Sequence, residues 1–178
     1  LSGAPLGNQT AISFTYLPPV MNYRISSENQ ILINFRQSLA KQVAGENNLF
    51  FLSPAMGNPS ALIIEDDQKT LKLNFDRRIE PQTEYSLEFK ALTDTFGLPI
   101  PGQTLKLGLG RSPGFNDLVI TELMADPLPS QGLPETDYVE LLNPTEDIIS
   151  LENVFLADEN GNHFFGPGFI LPGERLLV

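Results

Sequence analysis

Apolar residues recur at every second position along much of this chain, and glycine or proline cuts each run short. Ile12, Phe14 and Tyr16 alternate with Ser13 and Thr15, and Ile31, Ile33 and Phe35 with Leu32 and Asn34. Leu71, Leu73 and Phe75 alternate with Lys72 and Asn74, Tyr85, Leu87 and Phe89 with Ser86 and Glu88, and Leu105, Leu107 and Leu109 close the series. Successive side chains on a strand point to opposite faces, so each run presents one apolar and one polar face. Antiparallel sheets that are wet on one side produce that pattern. Several such strands bury their apolar faces by stacking in two sheets. The chain is therefore expected to be all-β.

The connections agree. Glu65-Asp-Asp-Gln-Lys69 separates Leu62-Ile-Ile64 from the next run and reads as a hairpin loop. Pro81-Gln-Thr-Glu-Tyr85 sets a tyrosine near the start of a strand, as in the tyrosine corner of immunoglobulin-type sandwiches. Asp94-Thr-Phe-Gly97, with Pro99 and Pro101 after it, forms a further turn cluster. A short helix is predicted over Ser38–Ala44, ended by Gly45. The succession Ile31-Leu-Ile-Asn-Phe-Arg-Gln-Ser-Leu39, Thr70-Leu-Lys-Leu-Asn-Phe75, Pro81-Gln-Thr-Glu-Tyr-Ser-Leu87 and Leu92-Thr-Asp-Thr-Phe-Gly97 resembles bacterial immunoglobulin-like repeats of the Big_5 type.

A second resemblance covers the last third. Leu118-Val-Ile-Thr-Glu-Leu-Met-Ala-Asp-Pro127 is followed by Asp137-Tyr-Val-Glu-Leu-Leu-Asn-Pro144, then Ile148–Asp158 and Leu171-Pro-Gly-Glu-Arg175. That order resembles the opening half of a lamin tail domain, in the form found in bacterial surface proteins. Val154-Phe155 stands where the family pattern has a tryptophan, and Phe155 is expected to fill the same apolar role. The resemblance implies an immunoglobulin-like fold and a role in binding or architecture. Two tandem immunoglobulin-like β-sandwich modules are thus expected, the second incomplete: residues 1–110, a linker at 111–116 rich in breakers, and residues 117–178. The start Leu1-Ser-Gly-Ala lacks a signal-like pattern, and Leu176-Leu-Val178 reads as strand, so the chain is expected to be an internal piece of a longer one. An unpaired strand edge in the second unit invites self-association.

Composition narrows the partners. With 41% hydrophobic residues the chain can bury a core. No apolar run approaches the roughly 20 residues that span a bilayer as a helix. A net charge of −11, with scattered basic residues, argues against nucleic acid and against an anionic membrane surface. Its simplest meaning is a solvated acidic exterior. Cysteine is absent, which removes disulfides, thiolate metal sites and cysteine nucleophiles without fixing a compartment.

The chemistry-bearing residues are few. Glu122, Asp126, Glu135, Asp137 and Glu140 cluster in the second unit, and Glu122 and Glu140 would oppose each other if their strands pair. Oxygen ligands of this kind suit calcium, the one cofactor worth considering. The competing reading leaves both glutamates on solvent-facing positions, and the alternation of Val139 and Leu141 favours it for Glu140. Asp158, Asn160 and Asn162 fall at calcium-loop spacing, but His163 and Phe169 stand where such a loop needs Gly and Glu, so Asn160-Gly161 reads as a hairpin signal. His163 is the lone histidine and is expected at the surface. Carboxylate pairs also serve glycoside hydrolysis, yet no tryptophan and only four tyrosines are present to line a sugar groove. Phe50-Phe51 and Phe164-Phe165 put rings on both strand faces. One ring of each pair is expected between the two domains or, failing that, exposed at an interface.

These readings converge on a non-enzymatic segment of an exported bacterial surface protein, at the cell surface, outside it or in the periplasm. Adhesion, architecture or presentation of a neighbouring domain is the expected role. The alternatives are an accessory module of a secreted hydrolase that binds carbohydrate or protein, and a calcium-stabilised adhesion module.

Overall fold

The computed structural model describes residues 17–124, 137–159, 161–166 and 168–178. The expected strand at Ile12–Tyr16 lies outside them, as do Asp126, Glu135 and Asn160. Apart from two short 3-10 turns at Lys41–Gly45 and Asn47–Leu49, the regular structure is β.

The N-terminal strands are β1 (Val20–Ser27), β2 (Gln30–Phe35), β3 (Phe50–Ser53), β4 (Ala61–Ile64), β5 (Thr70–Asn74), β6 (Glu84–Phe89), β7 (Leu92–Thr93), β8 (Pro99–Ile100) and β9 (Gln103–Gly108). They form one sheet in the order β1-β2-β5-β4 and a second in the order β3-β6-β9, with β7 and β8 as a small separate hairpin. This is the A-B-E-D over C-F-G order of a constant-type immunoglobulin sandwich. The alternation explains it directly. Ile31 and Ile33 stand opposite Leu73 and Leu71, and Leu87 stands opposite both Leu52 and Leu105. Their side chains meet in one continuous core with Phe35, Phe50 and Phe89. The Phe35 and Phe89 rings pack edge to face at 5.7 Å between the sheets. The tyrosine corner forms as expected: the Tyr85 hydroxyl accepts the Glu80 N–H at 2.9 Å.

Two local expectations need correction. Ser38–Ala44 is not an α-helix. Residues 38–40 run extended as a splice between neighbouring loops: Leu39 N–H donates to Gln68 at 2.7 Å, and Ala40 N–H to Thr93 at 2.9 Å. Only Lys41–Gly45 winds, as a 3-10 turn. The edge strand β1 had no counterpart among the expected strands.

The C-terminal strands are β10 (Val119–Met124), β11 (Tyr138–Leu142), β12 (Ile149–Ser150), β13 (Phe155–Asp158), β14 (Gly161–Phe164), β15 (Phe169–Ile170) and β16 (Arg175–Leu177). They make a three-stranded sheet β10-β11-β16 and two two-stranded pairs, β12-β15 and β13-β14. A separate, small cluster of Leu141, Leu151 and Ile170 holds them, with Val139, Phe165 and Leu176 packed against it. The apolar face of the three-stranded sheet is poorly covered at β10, where Ile120 and Leu123 are 54% and 69% exposed. Asn143 is wholly buried, and its side chain acts as a peg. Its amide donates to the carbonyls of Asp147 (2.8 Å) and Ile170 (3.0 Å), while its carbonyl oxygen accepts from the Thr145 N–H and hydroxyl. Phe155 does not fill a core position. It is 45% exposed and packs on Phe164 with centroids 5.2 Å apart.

Candidate functional site

The carboxylates singled out by the sequence are placed as follows. Glu122 and Glu140 do stand opposite each other in the β10–β11 register. Each has a partner within the chain. The Tyr138 hydroxyl donates to Glu122 at 2.6 Å, and the Thr121 hydroxyl donates to Glu140 at 2.5 Å. The Arg175 guanidinium forms an ion pair with the same Glu140 oxygen. The Thr121 bond, then Arg175, hold the Glu140 carboxyl below its ordinary range, and the Glu122 contact pushes the Tyr138 hydroxyl up. Arg175 thus supplies at Glu140 the balancing charge that a cation would bring. Asp137 is exposed just before β11. Among the described residues, no three His, Cys, Asp or Glu side chains come together. His163 is exposed on β14, opposite Leu156. The β13–β14 hairpin pairs Asp158 with Gly161.

The paired phenylalanines settle differently from the first expectation. Phe50 and Phe165 turn inward to their own clusters, while Phe51 and Phe164 face outward. Neither pair lodges a ring between the two sets of sheets. Phe169 takes that place instead: a Cβ on Gly108 would lie 3.3 Å from its ring.

The most elaborate polar arrangement is the joint between the two sets of sheets. Gln82, in the β5–β6 connection, uses its side-chain amide as a backbone unit would. It donates to the Ile148 carbonyl at 3.1 Å and accepts the Ile148 N–H at 2.6 Å. Beside it, Arg111 N–H donates to the same carbonyl at 3.0 Å and Ser150 N–H donates to Arg111 at 2.8 Å. Arg111 and Ile149 thereby form a parallel bridge. The approach needs glycine: a Cβ on Gly110 would stand 2.6 Å from Ser150 N and 2.8 Å from Ile148 O. The Arg111 side chain then clamps two carboxylates, Asp147 through Nε at 2.6 Å and Asp117 through Nη1 at 2.5 Å. Asp117 also accepts the Gly114 N–H at 2.6 Å. The Arg111 bond, then the Gly114 bond, draw the Asp117 carboxyl below its usual range, and the two carboxylates keep the guanidinium more firmly protonated than usual. Ile148 and Ile149 are buried at this joint.

A cleft of about 790 Å³ opens alongside, between the edge strands β1 and β9 on one side and the β12–β15 region on the other. The charged residues on its border are Arg24 and Lys106 from the N-terminal sheets, and Glu152 and Glu174 from the C-terminal ones. None of the joint residues was identified from the sequence as functional. The Gly108-Leu-Gly110 exit of β9 was the available signal, because glycine spacing at a strand end marks a close backbone approach. Gln82 carries no such mark.

No protein-family model matches the chain, and no curated protein matches it. Among solved structures the chain is similar to the bacterial S-layer protein SbsC, at a TM-score of 0.47 in each case. The N-terminal part of that protein is 9% identical, covering 91% of this chain and 44% of the other. The rSbsC(31-844) structure is 13% identical and domains 1-6 are 10% identical, each covering 91% of this chain and 32% of the other. The chain thus spans less than half the length of each. A likeness of that degree fixes neither family nor task.

Proposed function

We propose that the chain is a rigid, non-enzymatic structural segment of an exported bacterial surface protein, built from an immunoglobulin-like module (residues 1–110) and a lamin-tail-like module (117–178) joined through 111–116. Its task is to hold neighbouring parts at a fixed spacing and angle, in architecture, adhesion or domain presentation. The observation that carries this reading is the joint. A passive connection between domains needs only a polar linker, and relative motion is then the default. Here Gln82, Gly110 and Arg111 commit side chains and backbone to fixing the second module on the first. The module assignment itself rests on the lamin-tail-like order Leu118–Pro127 and Asp137–Pro144.

The test is carried out on the purified chain and on bacterial cells displaying it with an epitope at residue 1. Gln82→Ala combined with Arg111→Ala should lower epitope accessibility on the cells while the N-terminal sandwich keeps its melting transition. The same chain should give no turnover on panels of glycosides, esters and peptides. Unchanged accessibility, or turnover abolished by altering one side chain, would overturn the reading.

A further inference from the structure

The negative charge of the chain is not spread along it. Residues 1–116 carry ten basic and ten acidic residues. Residues 117–178 carry twelve Asp and Glu against one basic residue, Arg175, so the whole formal charge of −11 belongs to them. Within that stretch Arg175 balances Glu140, and Arg111 reaches across from the neighbouring linker to Asp117 and Asp147. A strongly anionic set of sheets thus stands beside a neutral one. Charge concentrated in this way steers an oppositely charged partner to one end of a molecule and repels copies of itself.

The same sheets leave an apolar strip open. In the β10–β11 register Ile120 stands opposite Leu141 and Leu123 opposite Val139, with a bulge between Ile120 and Glu122. Directly opposed residues share a face, so the bulge sets Ile120 and Leu123 on one side although they are three apart. That side is the core side, because Leu141 is buried in the small cluster and Val139 packs against it. Both residues are nevertheless more than half exposed. Glu122, opposite Glu140, lies on the other side of the strand, where it accepts the Tyr138 hydroxyl. Among the described residues β10 pairs with β11 alone, and an open edge with an apolar strip is a template for an added strand. Charge selects the occupant. A second copy would bring the same eleven negative charges to this edge, and nucleic acid or anionic lipid would be repelled as well. An extended segment with basic and apolar residues at alternate positions fits both sides of the strand at once.

We propose that β10 is a docking edge for a basic, extended segment of another protein, which lays apolar side chains on Ile120 and Leu123 and turns lysines or arginines to the side of Glu122. This goes beyond the spacer role and stands on different residues, so either can fail alone. The test is titration of the whole isotope-labelled chain with an end-blocked octapeptide of alternating lysine and valine. Octapeptides of alternating glutamate and valine, and of alternating lysine and serine, are the comparisons. The expected result is saturable shifts of the Ile120, Thr121 and Leu123 amides with the lysine–valine peptide, weakening as salt rises from about 50 to about 200 mM. Leu123→Ser should weaken binding about tenfold and Glu122→Gln about threefold, with the amide spectrum of the N-terminal sheets unchanged. The chain alone should sediment as a monomer. Equal binding of either comparison peptide, shifts that map away from β10, or silence of all three peptides at millimolar concentration would overturn the proposal. So would a dimer of the chain that Leu123→Ser abolishes.

Discussion

Single residues hold this fold where its core is thin. Asn143 is the clearest case. Its side chain satisfies two carbonyls and two donors inside a cluster of only a few apolar groups. Asn143→Ala removes a donor from the buried Ile170 carbonyl and the acceptor from the Thr145 N–H, and should cost the C-terminal sheets about 2 kcal/mol. Denaturant melting followed by a probe in those sheets would read the loss. The sequence shows an asparagine before proline, a common loop pair, and nothing in that pair announces a buried peg. Tyr85 was legible because its offset from Pro81 and its place at a strand start are local features. Acid sensitivity also belongs to this scale. Asp117 and Glu140 are held below their ordinary pKa in the fold, by Arg111 and Gly114 and by Thr121 and Arg175 respectively. Each therefore binds a proton less readily folded than unfolded. Their stabilisation is complete above the usual carboxylate range, near pH 4, and is lost as pH falls through the lower folded values. Both are partly exposed and paired with half-exposed arginines, so solvent screening keeps the effect modest. The melting midpoint should decline more gently below about pH 4 in Arg111→Gln than in the native chain.

At the scale of elements, strands buried on one face were plain in the sequence because burial imposes the two-residue period. Strands β2, β5, β6 and β9 all carry it and all line the core. The β1 edge strand was missed because only Val20, Tyr23 and Ile25 turn toward the core, while Met21, Asn22 and Arg24 are exposed. Ser38–Ala44 misled for the opposite reason. Its helix-forming residues are overridden by backbone bonds to Gln68 and Thr93, which are distant in sequence. The exit from β9 shows how tightly an element end can be specified. Gly110→Ala places a methyl group within 2.6 Å of the Ser150 nitrogen, so either the bridge opens or the chain shifts. Hydrogen exchange at Ser150 should rise sharply in this variant while exchange at Leu73 and Leu87 stays slow. Equal protection at Ser150 would mean that the approach is looser than its geometry.

Across the whole molecule, the large N-terminal core and the small C-terminal cluster are unequal partners. The joint ties the smaller cluster to the larger through Gln82 and the Arg111–Ile149 bridge. Alternation and turns mark the N-terminal sheets, and the motif order Leu118–Pro127 and Asp137–Pro144 suggests the C-terminal ones, but the joint is tertiary. Its parts, Gln82, Gly110, Arg111, Asp117 and Asp147 to Ser150, lie in separate stretches of sequence with no shared pattern. The central claim is that the joint makes one rigid body of the two. Because the chain has no cysteine, spin labels at Lys41→Cys and Glu146→Cys report one distance without background. Double electron–electron resonance on that doubly labelled chain should give a single narrow distance distribution, broadened when Gln82→Ala and Arg111→Ala are added. A broad distribution in the otherwise native chain would contradict the account.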